Sequence, residues 1–193
     1  MISSILITIL PMVVAATVNT ALVKLPAFSQ LRAPIDGGRL LRDDKRLFGD
    51  NKTWLGFIGL IIWGAVFFWL WAYISTSHQS LIDQNFFSSL YTTAGLPALL
   101  TGAAMGFAYA LFELPNSYWK RRVDIRPGET HGGMNGLLHI VVDHSDSIIG
   151  CAVVIALLGS ISLAEWLVLI VIGVVVHLLV NYLLVLVKVK KTI

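Results

Sequence analysis

Residues 137–159 read LLHIVVDHSDSIIGCAVVIALLG, a segment with two aspartates followed directly by a long apolar run. The apolar part, residues 148–159, has only 12 residues, whereas a helix needs about 20 to cross the roughly 30 Å hydrocarbon core of a bilayer. A membrane-spanning helix must therefore begin near Leu137 and include both aspartates. The sequence thus predicts a transmembrane helix that carries ionisable groups near one end.

The composition of the whole chain supports a membrane location. Of its 193 residues, 56% are hydrophobic and 13% are charged, whereas soluble domains average about 25% charged residues. We predict an all-α polytopic membrane protein, organised as a single domain over residues 1–193. The first apolar stretch has no basic segment before it and exceeds the apolar core of a signal peptide, so we expect it to be retained. About five transmembrane helices are expected, at residues 2–23, 54–74, 90–113, 137–159 and 163–187.

Positive charges alternate with these spans. All 14 Lys and Arg lie between Lys24 and Lys52, between Lys120 and Arg126, or from Lys188 onward. Positively charged loops of membrane proteins tend to stay in the cytoplasm. The predicted topology therefore has the N-terminus outside, two large basic loops in the cytoplasm and a cytoplasmic C-terminus. Because the basic segments lie against a bilayer, nucleic acid is not an expected partner.

The two aspartates of the fourth span, Asp143 and Asp146, share one helical face with His139, since the spacing is i, i+4, i+7. Gly150 continues that face and would let another helix approach closely. Ionisable residues in spans usually face a bundle interior or a water-filled cavity. Two neighbouring carboxylates repel each other unless a cation lies between them, and Mg²⁺ prefers such oxygen ligands. Asp143 alone could instead be solvated at the headgroup level, but the pair favours a metal site.

The first basic loop reads APIDGGRLLRDDKRLFGDNKTWLG over residues 33–56. Acids and bases alternate in it, whereas a loop attracted to anionic lipid would show a plain run of Lys and Arg. We expect Gly37, Gly38 and Gly49 to permit close approach of the backbone. This pattern is more typical of a phosphate and metal site. The GDNKT segment is not a P-loop, because the first Gly of GxxxxGK[ST] and a preceding strand are both missing.

The second basic loop begins in FELPNSYWKRRVDIRPGETHGG, residues 112–133. Glu113 ends the third predicted span, and we expect Pro115 to break or restart the helix just after it. Lys120, Arg121 and Arg122 then form a dense cationic cluster, and guanidinium groups match phosphate oxygens well. Such a cluster alone could simply set the topology. Together with the other acid–base clusters on the same membrane face, it indicates a site for a polyphosphate and a metal.

Three histidine and asparagine positions leave alternatives open. His131 precedes two glycines and is either an ordinary mobile-loop histidine or part of the site. His177 and Asn181 lie at i, i+4 in the last span, where both are polar in an otherwise apolar helix. They either bond neighbouring helices or close the site at its cytoplasmic end.

Five segments occur in an order that resembles the CDP-archaeol synthase family and its bacterial relatives. They are PIDGG, FGDNKTW, NSYWKRR, DHSDSIIG and HLLVNY, and they include residues of three of the five predicted spans and of both basic loops. This family belongs with the phosphatidate cytidylyltransferases in the CTP-transferase superfamily. The resemblance implies transfer of CMP from CTP to a lipid phosphate, release of pyrophosphate and a requirement for Mg²⁺. The implied partners are CTP, a phosphatidate- or archaeol-phosphate-like lipid and the surrounding membrane lipids.

The resemblance also implies roles for individual residues. Asp143 and Asp146 match the metal-binding acids of the family, and Lys120 and Arg121 match the pair expected to hold the CTP phosphates; we expect these four to be catalytic. Further nucleotide-binding positions are Asp36, Asp50, Lys52, Thr53, His177 and Asn181. On chemical grounds Arg122 would also neutralise phosphate charge, and Asp50 or Glu113 would complete the metal site. Two residues depart from the family pattern: Leu55 stands where Arg is common, and Glu113 where Asp is common.

We therefore expect a membrane cytidylyltransferase that produces a CDP-lipid at the cytoplasmic face. Two alternatives are a CDP-alcohol phosphotransferase and a non-enzymatic transporter or structural membrane subunit. The first lacks its DGxxAR…GxxxDxxxD signature here. The second would spread polar residues through the membrane depth, whereas the polar groups of this chain crowd one membrane face.

Overall fold

The computed structural model describes residues 1–91, 95–125 and 134–189, and in the last range it describes side chains from residue 141. These residues form a 3₁₀ turn, Pro26–Leu31, and seven α-helices: α1 (Ile2–Lys24), α2 (Trp54–Ser75), α3 (Gln79–Asp83), α4 (Ser88–Tyr91), α5 (Leu96–Arg122), α6 (Met134–Leu158) and α7 (Leu163–Leu186). Five of them, α1, α2, α5, α6 and α7, are long and apolar enough to cross a membrane. The predicted all-α fold with five spans is confirmed.

The third span differs from its prediction. Helix α5 begins at Leu96 and continues through Pro115 to Arg122, so the expectation that the helix breaks after Glu113 is wrong. Side-chain contacts hold the turns beyond the proline: Asn116 bonds to α6, and Arg122 bonds to the first loop. These contacts between distant parts of the chain outweigh the backbone hydrogen bond that proline removes.

Glycines allow the central helices to pack with their backbones in contact. A Cβ atom at Gly102 of α5 would lie 2.2 Å from the carbonyl oxygen of Gly64 in α2, and one at Gly106 would lie 2.1 Å from another α2 carbonyl oxygen. Small residues at helix crossings permit this approach in membrane proteins. The close approach predicted at Gly150 is also confirmed, because a Cβ there would lie 2.5 Å from the carbonyl oxygen of Ala108.

The end of the bundle opposite the basic loops is closed by residues 76–91. The side chains of Phe87 and Tyr91 are fully buried there. The Thr8 hydroxyl of α1 donates to Asn85 Oδ1 at 3.3 Å and accepts from the Phe86 amide at 3.1 Å. These bonds tie the connection to α1 and seal the core at this end.

The basic segments meet at the other end. Lys24 Nζ donates to the Val189 carbonyl at 2.8 Å, which joins the ends of α1 and α7. Lys45 Nζ donates to the Arg122 carbonyl at 2.9 Å and pairs with Asp124, which joins the first loop to the end of α5. Helix α1 packs on α2, α2 on α5, α5 on α6 and α6 on α7. A cavity lies between these five helices.

Candidate active site

The cavity has a volume of about 430 Å³ and two chemically different parts. Its apolar part is lined by Ile9, Met12, Leu60, Met105 and Leu169, among others. Its polar part is lined by nine of the predicted site residues and by one further polar residue, Asn116. The nine are Lys52, Thr53, Glu113, Lys120, Arg121, Asp143, Asp146, His177 and Asn181. A charged head group and an apolar chain could therefore both be accommodated in one continuous space.

The acid pair of α6 faces the end of α5. Asn116 Nδ2 donates to Asp143 Oδ1 at 2.7 Å and to Asp146 Oδ2 at 3.0 Å, so one amide bridges both carboxylates. Lys120, one helical turn after Asn116, forms an ion pair with Asp143. The Asp146 carboxylate also accepts from the Ser147 amide at 2.5 Å. The two acids are thus held side by side by groups from a neighbouring helix.

A second ion pair crosses the cavity between Lys52 and Glu113. Lys52 lies at the end of the first loop, just before α2. Thr53 is the N-cap of α2, where its hydroxyl accepts from the Gly56 amide at 3.1 Å. This cap sets the direction in which the chain leaves the loop. Lys52 is thereby placed opposite Glu113, which is 61 residues away in the sequence.

The polar residues of α7 form part of the cavity wall. His177 Nε2 lies 3.1 Å from the Tyr109 hydroxyl, and His177 Nδ1 lies 3.2 Å from the His144 carbonyl oxygen. His177 therefore bonds neighbouring helices, one of the two predicted possibilities. Asn181 Nδ2 donates to the His177 carbonyl within α7 at 3.0 Å. Both residues line the cavity.

Three predicted site residues do not line this cavity: Asp36, Asp50 and Arg122. Asp50 is exposed and pairs with Arg46 at 2.7 Å. The Arg122 guanidinium donates to the Arg46 carbonyl, pairs with Asp43 at 3.3 Å and lies 4.8 Å from the Tyr118 ring centre. These contacts connect the first loop to α5. His131, for which the sequence left two alternatives open, lies outside the described residues, and so does the side chain of His139.

The buried carboxylate of Asp36 organises the first loop. It accepts two hydrogen bonds from the Arg46 guanidinium, at 2.7 and 3.2 Å, and three from the amides of Gly38, Phe48 and Gly49, at 3.0–3.1 Å. Burial alone would raise the pKa of Asp36, but these hydrogen bonds outweigh it and hold the pKa well below its ordinary 3.8. The loop is therefore folded around an ionised aspartate.

Two glycines of this loop, Gly37 and Gly38, have a different role from the one predicted. A Cβ at Gly37 or Gly38 would meet no atom within 4 Å, so close backbone approach does not explain them, and that expectation is wrong. Their φ angles are +57° and +80°, in the left-handed region that favours glycine. They turn the chain so that the Gly38 amide reaches Asp36.

This arrangement predicts the effect of Asp36→Asn. We expect the variant to lose about 1–3 kcal/mol of stability, since its buried hydrogen-bond donors would face a weaker acceptor. Because the folded-state pKa is depressed, the wild-type stabilisation is complete above pH 3.8 and declines as the pH falls toward the folded-state pKa. Proteolytic cleavage within residues 24–53 measures this, with trypsin at neutral pH and with the acid-active protease pepsin as the pH falls below 3.8. Asp50→Asn is the matched control, because it shares Arg46 but is exposed; equal protease sensitivity of both variants would contradict the assignment.

The residues at the acid pair are chemically suited to Mg²⁺. Among the side chains that the structure describes, no group of three or more His, Cys, Asp and Glu is arranged to hold a metal ion. Mg²⁺, however, often binds through one or two carboxylates, with waters and substrate phosphates as its other ligands. Asp143 and Asp146 supply the carboxylates. Asn116 Oδ1 is buried and without a hydrogen-bond partner. Because Asn116 Nδ2 faces the carboxylates, turning the amide over would bring this oxygen toward them as a further ligand of the kind that Mg²⁺ prefers.

Asn116 is not among the residues that the sequence predicted for the site. A signal was available, because Glu113, Asn116 and Lys120 are spaced i, i+3, i+7 and lie on one face of a helix. The expectation that Pro115 breaks the helix concealed this common face. Tyr109 and His144 were also missed, since a tyrosine in a span and a histidine between two aspartates carry no distinctive spacing.

Comparisons with known proteins identify the family of this chain. A family model described as "CarS-like: CDP-archaeol synthase" matches residues 1–193. CDP-archaeol synthase of Thermococcus kodakarensis is 38% identical over 105 residues, which cover 54% of this chain and 53% of that protein. The protein of that name from Methanoculleus marisnigri is 32% identical over 145 residues, 70% of this chain and 75% of that protein. The matches to the Thermococcus proteins thus span about half of their length.

A solved structure shares the fold. It is described as "Structural insight into an intramembrane enzyme for archaeal membrane lipids biosynthesis", and it matches with a TM-score of 0.59 at 22% identity over 92% of each chain. The family model covers every segment on which the sequence resemblance rested. The chain therefore belongs to the CDP-archaeol synthase family.

Proposed function

We propose that the protein transfers CMP from CTP to a lipid phosphate and releases pyrophosphate. The observation that carries this proposal is the cavity itself, in which paired acids and cations at one end adjoin an apolar space between membrane helices. A lipid phosphate would place its head group among the charges and its chains along the apolar part. Family membership favours this reaction over the phosphotransferase and transporter alternatives.

The chemistry requires positioning and charge neutralisation more than covalent catalysis. An oxygen of the lipid phosphate attacks the α-phosphorus of CTP, the bond from that phosphorus to the bridging oxygen breaks, and pyrophosphate leaves. The attacking phosphate is already ionised at neutral pH, so no general base is required. Lys52, Lys120 and Arg121 would orient the phosphates and compensate their charge. Asp143, Asp146 and Asn116 would hold Mg²⁺, which supplies Lewis-acid stabilisation of phosphate charge when bound.

The site is proposed to face the cytoplasm. Support comes from the two basic loops and the end of α7, which lie at the same end of the bundle as the polar part of the cavity. This orientation would put the N-terminus outside and give the site access to cytoplasmic CTP. The variants Ser77→Cys and Asp44→Cys, each with a single reactive cysteine and labelled in intact cells, test this orientation. We expect a membrane-impermeant maleimide to react only at position 77; reaction only at position 44 would overturn the orientation.

An assay with the purified protein tests the reaction. Labelled CTP and Mg²⁺ are mixed with a panel of lipid phosphates that includes ester-linked phosphatidate and an ether-linked isoprenoid glycerol phosphate. We expect a labelled CDP-lipid and stoichiometric pyrophosphate from at least one panel member, and no product after chelation of divalent cations. If no lipid phosphate yields a CDP-lipid, the proposed function is wrong.

The structure also separates two neighbouring cations that the sequence grouped together. Lys120→Gln should lower kcat/KM for CTP by about a hundredfold, since a buried charge contact to phosphate is lost. Arg122→Gln should lower it by less than about tenfold and should mainly increase protease sensitivity of the first loop, because Arg122 contacts Arg46 and Asp43 rather than the cavity. Steady-state kinetics with varied CTP distinguish the two. Equal losses of kcat/KM would contradict the assignment of Lys120 to phosphate binding and of Arg122 to holding the first loop.

A further inference from the structure

The acids and cations of the cavity are paired with each other. Lys52 pairs with Glu113, and Lys120 pairs with Asp143. Asn116 donates to both Asp143 and Asp146. The groups suited to a divalent cation are therefore bonded to the groups suited to a triphosphate.

These ion pairs are largely shielded from water. The four side chains are 14–24% exposed. Removing one partner of a poorly solvated pair leaves the other charge uncompensated, which is strongly unfavourable. A metal ion that binds the acids alone would leave the charges of Lys52 and Lys120 uncompensated. A triphosphate that binds the lysines alone would leave the charges of Glu113 and Asp143 uncompensated.

Both costs disappear when the two ligands bind together, because each group then finds a new partner. We propose that the Lys52 and Lys120 ammonium groups and the Asn116 NH2 group hold Glu113, Asp143 and Asp146 in the place of a metal, and that a divalent cation and a nucleoside triphosphate bind cooperatively by exchanging these partners. This inference rests on the proposed function, since it concerns the same site. It assigns the lysines a second role as positioning groups for the acids.

The inference is tested by binding rather than turnover. Isothermal titration of the full-length protein in detergent, without lipid phosphate, gives the affinity for Mg²⁺ alone, for CTP with chelator and for CTP in saturating Mg²⁺. For the wild type we expect Mg²⁺ to raise the affinity of the protein for CTP by at least about tenfold, within the range of ordinary coupling between sites. The titrations are corrected for the affinity of Mg²⁺ for CTP in solution.

Lys120→Gln provides a distinctive signature. Removing the lysine breaks its ion pair with Asp143. The affinity of the protein for Mg²⁺ alone should therefore increase by about tenfold or more, while its affinity for CTP decreases. The cooperativity should shrink accordingly. A lysine that bound only phosphate would change CTP affinity and leave Mg²⁺ affinity unaltered. Lys52→Gln tests the pair with Glu113 in the same way and replaces the first variant if that variant does not fold.

Lys45→Gln is the matched control, because Lys45 pairs with Asp124 outside the cavity. Both of its affinities should equal those of the wild type. If CTP binds but the two ligands bind independently, or if the cavity lysine variants do not bind Mg²⁺ more tightly, the partner exchange is wrong although the proposed function stands. If CTP does not bind even in saturating Mg²⁺, the proposed function itself is wrong.

Discussion

Asp143→Asn and Asp146→Asn are each expected to lower the rate of CDP-lipid formation by at least about a hundredfold. Losing one preorganised electrostatic contact commonly costs a factor of 10²–10³ in kcat, and these carboxylates are the two held side by side in the cavity by Asn116. Asp143→Asn also leaves Lys120 without its acidic partner. The measurement is the initial rate of labelled CDP-lipid formation at saturating CTP.

The matched control for these variants is Asp124→Asn. Asp124 also pairs with a lysine, but its side chain is 78% exposed and it does not line the cavity, so the rate should stay within about twofold of wild type. Thermal unfolding of each variant separates lost chemistry from lost structure. Retention of more than a tenth of the wild-type rate in both cavity variants would refute the assignment of these acids.

Gly102→Ala is expected to destabilise the helix bundle itself. The added Cβ would lie 2.2 Å from the Gly64 carbonyl oxygen and 2.6 Å from Phe68 Cβ. Helices α2 and α5 would have to separate where their backbones meet, and overpacking of this kind typically costs about 1–3 kcal/mol. We expect a clear decrease in the thermal unfolding midpoint of the protein in detergent.

Gly173→Ala in α7 is its control. A Cβ there would lie 2.7 Å from Ile148 Cγ2, a side-chain methyl rather than a backbone atom. Moving a side chain costs less than separating two helix backbones, although the β-branched Ile148 is stiff at χ1, so a smaller decrease is expected. Both variants replace a glycine by alanine, so the difference between their unfolding midpoints measures the effect of the backbone contact at Gly102. Equal midpoints for the two alanine variants would show that the α2–α5 contact is not the tightest point of the bundle.

Much of the architecture could be predicted from local properties of the sequence. Span number follows from apolar length against bilayer thickness, and all five spans were found because that signal extends over about 20 residues. Helix ends were less accurate, as α5 shows. Pro115 is a local signal for termination, whereas the contacts of Asn116 and Arg122 that keep the helix intact come from residues more than 25 positions away.

The sequence predicted most of the residues of the site but not how they are arranged. The sequence showed acids and bases clustered near one membrane face, and nine of the twelve predicted site residues line one cavity. It could not show that Asp36 is enclosed by its own loop, or that Arg122 contacts that loop instead of the cavity. Both have the charge of a ligand-binding residue, and only their partners reveal that they hold the loop together.

By itself, the sequence determined that this chain is a five-span membrane protein with its charged groups near one end of the spans, because hydrophobic length and helical spacing are local properties. Only the tertiary structure decided which charges meet. Lys52 reaches Glu113 across 61 residues, and Asn116 joins two acids 27 and 30 residues away. Such pairings depend on how α2, α5 and α6 pack, and that packing is decided by backbone contacts at glycines such as Gly102 and Gly150.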